Sequence, residues 1–338
     1  MKQRVLQYLV CPQCKSPFRL ATEPDGEEIV EGELRCEQSG HSYPITGGIP
    51  RLLPAHLAQD VQKTAQNFGW QWQEFDEFLS LDDYKSQFLD WLHPIEPSFF
   101  RDKVVLDAGC GMGRFSLASA DFGAKDVLAI DLSVAVEAAY ANTKHLPNVH
   151  VIQADIYNLP FATPFDFAFS IGVLHHLPDP EGGFDAIVKH LKPKGSIFAW
   201  VYGKENNWWV INVAGPLREK FFSRIPPKGL YAISKAITLM VHPVLKLIYR
   251  PVNNVPALQP LTKLLPYNGY LKWLAEFGFR HNHHVIFDHL NAPTAFYISK
   301  EEFLAWFQRA KLPNPVLSWR NQNSWRGSAV LEHADSRT

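Results

Sequence analysis

The run Lys103-Val-Val-Leu-Asp-Ala-Gly-Cys-Gly-Met-Gly-Arg-Phe115 limits this chain more than any other stretch. Val104 to Asp107 suit a buried parallel strand. Gly109, Gly111 and Gly113 follow at alternate positions, and a helix pattern begins at Arg114. Glycine is required where backbone turns at positive φ or where a ligand must approach without a Cβ in the way. A strand, a glycine turn and a helix N-terminus together make the nucleotide-binding corner of a doubly wound sheet. The spacing is G-x-G-x-G with an acid before it, whereas a nicotinamide dinucleotide fold expects G-x-G-x-x-G.

The sequel repeats the pattern of an apolar strand ending in an acid. Val127-Leu-Ala-Ile130 ends in Asp131, 18 residues past Gly113, about where a carboxylate that grips ribose hydroxyls is expected. Val149-His-Val-Ile152 leads to Gln153-Ala-Asp155-Ile156, and Phe165 to Ile171, through Ser170, runs into Gly172-Val-Leu-His175-His176. Asp107, Asp131 and Asp155 at three successive strand ends share no common stability reason. In combination these motifs resemble the class I S-adenosylmethionine-dependent methyltransferases, especially the branch of ubiquinone and menaquinone C-methyltransferases, over roughly residues 100–202.

The resemblance implies an α/β fold with a seven-stranded, mixed Rossmann-like sheet in the order 3-2-1-4-5-7-6. It also implies that Asp131 holds the ribose hydroxyls, Asp155 the adenine amino group and the Ile156 N–H a ring nitrogen. The loop of Gly109, Cys110, Gly111 and Gly113 would lie against the methionine portion, with Asp107, Leu132 and Ser170 completing the cofactor set. His175 and His176 follow the fourth strand, where the acceptor lies in such enzymes. A histidine there can take a proton near neutral pH, and a structural role for the pair stays equally open.

Residues 1–54 read as a separate module. Cys11-Pro-Gln-Cys14 is a metal knuckle, and Cys36 opens a second one in which Ser39 stands where a cysteine is expected. The module resembles the zinc-ribbon activator subunit of translation-related methyltransferases, also found fused to single-chain enzymes. His41, two residues on, would complete a Cys3His set with Cys11, Cys14 and Cys36, as in a family of ribosomal RNA guanine methyltransferases with an N-terminal finger. Such a closed site would hold a structural zinc ion. Fifty-four residues bury little core and need a staple, although a ribbon held by its apolar residues alone is the other reading.

The remaining segments divide as an aromatic and helical linker (55–100), the cofactor-binding core (101–202), an inserted cap (203–298) and a C-terminal helix and hairpin (299–338). In the linker, Phe68, Trp70 and Trp72 are candidates either to cover the cofactor or to pack on the sheet. Ser299, with Glu302 three positions later, caps a helix. His281, His283, His284 and His289 lack dedicated metal spacing and are expected to line the acceptor pocket, as are Phe296, Tyr297 and the segment Arg320 to Arg326.

Charge divides the chain unevenly. Lys+Arg 33 against Asp+Glu 34 excludes a global bias toward nucleic acid, yet Lys204 to Lys272 holds 10 basic and 2 acidic residues. The apolar run Leu230–Tyr249 with spaced lysines suits an anionic membrane surface or an ordinary buried helix. No run reaches ~18 uninterrupted apolar residues, so no transmembrane segment is expected. Four cysteines and no apolar leader point to a cytoplasmic protein, peripheral to a membrane at most. The reading is a methyltransferase for a small-molecule, lipophilic acceptor. The rivals are an RNA methyltransferase and a non-catalytic cofactor-binding or activator protein. A nucleic-acid amine enzyme would carry Asn/Asp-Pro-Pro-Tyr after the fourth strand, where this chain has Ser170-Ile-Gly-Val173.

Overall fold

The computed structural model describes residues 1–21, 26, 28–54, 59–74, 80–162, 164–292 and 294–332. Parts of the linker and of the C-terminal segment (residues 55–58, 75–79 and 333–338) therefore lie outside the described residues. The core alternates strand and helix as the apolar spacing requires. Its elements are β5 (Val104–Ala108), α3 (Arg114–Asp121), β6 (Asp126–Asp131), α4 (Ala135–Thr143), β7 (Val149–Ala154), β8 (Phe165–Ile171), α5 (Pro180–Val188) and β9 (Leu191–Tyr202). The chain closes with α11 (Lys300–Arg309), β10 (Val316–Arg320) and β11 (Ser324–Val330). Ser299 caps α11 by accepting the Glu302 N–H at 3.1 Å.

From β7 the strand order runs β7-β6-β5-β8-β9-β11-β10, which is the expected 3-2-1-4-5-7-6. Strands β5 to β9 are parallel, and β11 runs antiparallel between β9 and β10. Helices on both faces bury the continuous apolar strands, as parallel sheets demand.

The N-terminal module does not stand apart. Its strands β1 (Phe18–Leu20), β2 (Gly32–Cys36), β3 (Ser42–Thr46) and β4 (Ile49–Leu52) continue the same sheet to 11 strands, because β4 pairs parallel with β7. The apolar residues Val5, Leu34 and Ile45 share one core with Leu106, Leu128 and Ile152. A module too small to bury its own interior thus borrows that of the larger domain. A buried polar anchor fixes the seam: Asp126 accepts from Tyr8 Oη at 2.7 Å and pairs with Arg4 at 2.6 Å and His150 Nε2 at 2.8 Å.

Two linker helices, α1 (Gln59–Glu74) and α2 (Leu81–Leu92), lead into β5. The cap holds α6 (Gly215–Lys220), α7 (Pro227–Val244), α8 (Arg250–Asn254), α9 (Asn268–Glu276) and α10 (Phe279–Asn291). Helices α7 and α8 join through a π-helical turn, Leu245–Tyr249, just after Pro243, whose missing N–H loosens the ladder there. Together they form one helix, Pro227–Asn254, of 28 residues, long and apolar enough to cross a membrane by length and composition. That departs from the sequence expectation, because spaced lysines and a proline broke the apolar run without breaking the helix.

Candidate active site

The glycine corner is built by backbone that only glycine tolerates. Gly109 lies at φ +89°, and a Cβ there would sit 2.3 Å from Val173 Cγ2. Gly111 lies at φ +53° beneath the Trp72 indole, 3.1 Å from where its Cβ would be. Opposite them, the Asp131 carboxylate accepts the Gly111 N–H at 3.0 Å, the Ser133 N–H at 2.8 Å and the Ser133 hydroxyl at 2.7 Å. It faces the glycine loop, and burial pushes its pKa up. Asp155 caps the short helix Ile156–Asn158, accepting the Tyr157 N–H at 3.0 Å.

These groups line one cavity of about 1060 Å³ that runs from the corner up beneath the cap. Gly109, Cys110, Gly111, Asp131, Leu132, Asp155 and Ile156 all contribute to its wall. Three other residues of the expected cofactor set lie outside the wall. Asp107 is buried behind the loop, where it accepts from Ser116 Oγ at 2.6 Å, and burial raises its pKa to about 7. Gly113 starts α3 and gives room to Ala139 and Thr143 on α4. Ser170 is fully buried and donates to the Ala108 carbonyl at 2.9 Å.

The linker roofs the corner. Phe68 and Trp72 line the cavity, and Trp70 instead packs on Phe287 and Tyr231 of the cap. Gly69 lets α1 approach the turn after β6, since a Cβ there would sit 2.5 Å from Val134 Cγ2.

Above the corner the cavity is walled by aromatic and titratable side chains. His176 lines it, and its Nδ1 lies 2.7 Å from the Thr294 carbonyl. That contact puts the ring proton on Nδ1 and leaves Nε2 as an acceptor. Burial holds the His176 pKa below its usual value, so the ring is neutral at pH 7. His175 is fully buried behind it and lies outside the wall. His281, His284 and His289 reach the cavity, and burial lowers His284 to about 4. His283 turns away to Ser234 Oγ at 2.9 Å. Phe296, Tyr297 and Arg320 line the cavity as expected, whereas Arg326 lies outside the wall and donates to the Asp90 carbonyl at 2.7 Å. Asp288, which accepts from Gln71 Nε2 at 2.9 Å, and the buried Arg218 also line the cavity, and neither carried a role of its own in the sequence reading. Asp288 stands only as one residue among the α10 histidines, and Arg218 only as one of the many basic residues of the cap, and neither pattern singles out a role.

In the N-terminal module, donor atoms of Cys11, Cys14 and His41 lie within 4.8 Å of one another, and the Cys36 sulfur is 3.3 Å from that of Cys14. Hydrogen bonds, first from the Ser39 hydroxyl, draw the Cys14 thiol down to about 6. Three thiols and an imidazole at these separations could hold a tetrahedral zinc ion.

Glycine corner, facing carboxylate and roofing indole form a cradle of the kind a doubly wound sheet offers to a nucleotide-like ligand. Residues 106–199 match the methyltransferase domain, and residues 2–48 match the Trm112p-like protein. The chain therefore carries a methyltransferase domain behind a Trm112p-like module. It is 34% identical over 125 residues to a tRNA U34 carboxymethyltransferase of Ruthia magnifica subsp. Calyptogena magnifica, covering 35% of this chain and 39% of that protein. It is 28% identical over 171 residues to a ubiquinone biosynthesis O-methyltransferase of Erwinia tasmaniensis, covering 49% and 68%. Among solved structures, the complex of the Haloferax volcanii Trm112 methyltransferase activator with a putative methyltransferase aligns at TM-score 0.44 and 14% identity, covering 80% and 99%. An S-adenosylmethionine-dependent methyltransferase from Mesorhizobium loti aligns at TM-score 0.28 and 28% identity, covering 31% and 48%. The chain thus spans about two fifths of the first of these relatives and about half of the last.

Proposed function

We propose that the protein transfers the methyl group of S-adenosylmethionine to a nucleophilic oxygen, nitrogen or carbon of a small, largely apolar acceptor held beneath the cap. One observation carries this reading. The cavity beyond the glycine corner continues into a chamber walled by Trp91, Trp200, Tyr202, Tyr270 and Trp273, and its volume slightly exceeds the ~300–1,000 Å³ usual for one ligand. It has room for cofactor and acceptor together.

When bound, S-adenosylmethionine supplies an electrophilic methyl on a positively charged sulfur. The protein's task is then alignment. Asp131 and Asp155 are placed to receive the adenosine. The Gly109–Gly111 backbone leaves space for the methionine portion, and Trp72 and Phe68 exclude water above it. His176 Nε2 is the group placed to take a proton from an acceptor hydroxyl or amine, its ring held by the bond to Thr294. His175, behind the wall, supports Tyr202 by ring packing at 3.9 Å.

The test is methyl transfer from labelled S-adenosylmethionine into fractionated extract. Label in the lipid or small-molecule pool supports the reading. Label confined to the RNA pool, with binding that falls steeply with salt, overturns it in favour of a nucleic-acid enzyme. No label in any pool, from a folded protein that binds the cofactor, would favour a non-catalytic role.

A further inference from the structure

Three arginines reach the cavity wall, and two are accounted for. Arg320 pairs with Asp90 and lies over the Trp91 and Trp273 rings. Arg114 lies over Trp72 and Phe115 and donates to Gln87 at 3.4 Å. Arg218, on α6, is different. It is 3% exposed, its Nε is buried with no hydrogen bond, and its nearest carboxylate among the described residues is the exposed Glu219 at 3.9 Å. Beside it, the Tyr297 hydroxyl is also buried, with the Arg218 guanidinium as its polar neighbour. The nearby histidines, His175, His176 and His289, are held neutral by burial and would be cationic if protonated, so none can serve as a countercharge. Asp288, the acidic residue of this part of the wall, makes no ion pair with Arg218 and is bonded to Gln71.

A guanidinium taken out of water with its nearest carboxylate an exposed one at 3.9 Å and its Nε unmet is costly, and proteins rarely leave one so. We propose that the acceptor carries an anionic group, a carboxylate or a phosphate, that seats on Arg218 with the Tyr297 hydroxyl donating to the same group. The inference rests on the small-molecule reading of the cavity and narrows it to an amphiphilic acid.

The test uses the full chain loaded with S-adenosylhomocysteine and three probes of equal chain length, dodecanoate, dodecyl phosphate and dodecanol, followed by quenching of the cavity tryptophans. Dodecanoate or dodecyl phosphate should bind about 10- to 100-fold more tightly than dodecanol, the worth of one charge-assisted hydrogen-bonded contact, and the stronger of the two identifies the head group. Arg218→Met should abolish that preference while leaving dodecanol affinity in place, and Arg218→Lys should retain part of it. Equal affinities in the wild-type protein, or a preference that survives Arg218→Met, overturns the proposal. Titration of the cofactor alone separates the two levels. A folded protein that fails to bind it sinks the methyltransferase reading, whereas cofactor binding without anion preference sinks only the role of Arg218.

The long cap helix is covered on one side only, and its inner face buries Leu230, Leu245 and Tyr249. That face also carries Ser234 and Thr238, buried against His283 and their own helix turn. Its outer face carries Leu239, Met240 and Leu247, which are 61%, 68% and 75% exposed. The apolar stripe recurs at helical spacing, and only 17% of the most apolar stretch is buried. Lys220, Arg224, Lys228 and Lys235 are exposed around its start. Trp209, 56% exposed on the same cap, also lines the cavity.

An apolar stripe beside a basic cluster is complementary to an anionic lipid surface. We infer that this face rests on such a surface and that the protein is peripheral to a membrane. Flotation of the full chain with vesicles should show retention on mixed phosphatidylcholine and phosphatidylglycerol that exceeds retention on phosphatidylcholine alone. The triple variant Leu239→Ser, Met240→Ser, Leu247→Ser should lose it while still binding S-adenosylmethionine. No retention, retention indifferent to these substitutions, or a dimer in sedimentation velocity that the same substitutions dissociate, would overturn the inference.

Discussion

Asp131→Asn removes one charge and keeps the side chain's size, so it isolates what the carboxylate does. In the folded protein both oxygens are occupied, one by the Gly111 N–H at 3.0 Å and the other by the Ser133 N–H and hydroxyl. An asparagine has one acceptor oxygen, so its amide must face either Gly111 N–H or Ser133 N–H, donor against donor. Leaving a buried donor unmet costs about 1–3 kcal/mol, and that is the expected loss of stability. The remaining lone pairs are those proposed for the ribose hydroxyls. A hydrogen bond to a charged group contributes about 1.5–3 kcal/mol, so the loss of one or two weakens S-adenosylmethionine binding by roughly 10- to 10⁴-fold. Isothermal titration gives the affinity, and thermal melting of the same sample gives the stability. A folded Asp131→Asn protein whose affinity stays within about threefold of wild type would refute the assignment, since that is under 1 kcal/mol.

His176→Ala should lower the transfer rate by about 10²–10⁴-fold for a hydroxyl or amine acceptor and leave cofactor affinity unchanged. Because burial lowers the His176 pKa, the wild-type rate should hold as pH falls through 6.5 and drop only below it, which a pH–rate profile checks. Asp107, with a folded pKa raised to about 7, stabilises the fold fully below its unfolded pKa of about 4 and loses that contribution as pH rises through 7. Asp107→Asn should therefore flatten stability between pH 4 and 8 and raise it at pH 8 by roughly 1–4 kcal/mol in denaturant melts; an unchanged pH dependence would contradict this. Elemental analysis should find zinc bound to the Cys11, Cys14, Cys36 and His41 set. A strong chelator should lower the melting temperature by roughly 5–10 °C, equivalent to a few kcal/mol at this size, and a zinc-free protein insensitive to chelator would remove the site.

Much of the core was legible because its signals are local. Strand, glycine turn and helix around Gly109–Gly113 follow from φ requirements and apolar spacing. The acid after β6 could be placed by counting, and the Ser299 cap by its partner three residues on. Fold order came from the resemblance those motifs carry, and the sheet follows it. Which carboxylates face the cavity was less legible: Asp107 and Asp131 read alike in sequence, but Asp107 on β5 lies behind the glycine loop and Asp131 at the end of β6 lies across from it. The seam of the N-terminal module was invisible, since Tyr8, Asp126 and His150 meet only through the fold. The same holds for Arg218 and Tyr297, and for the exposed apolar face of the Pro227–Asn254 helix. Composition showed that helix to be apolar with basic flanks, but which side faces outward is set by packing against α10.

The most direct measurement is titration of S-adenosylmethionine into the 338-residue chain, with S-adenosylhomocysteine as competitor. One molecule should bind per chain and be displaced by the competitor, with a change in tryptophan fluorescence as the cofactor settles beside the Trp72 indole. A protein that is folded by circular dichroism and gives neither heat nor a fluorescence change would contradict the account.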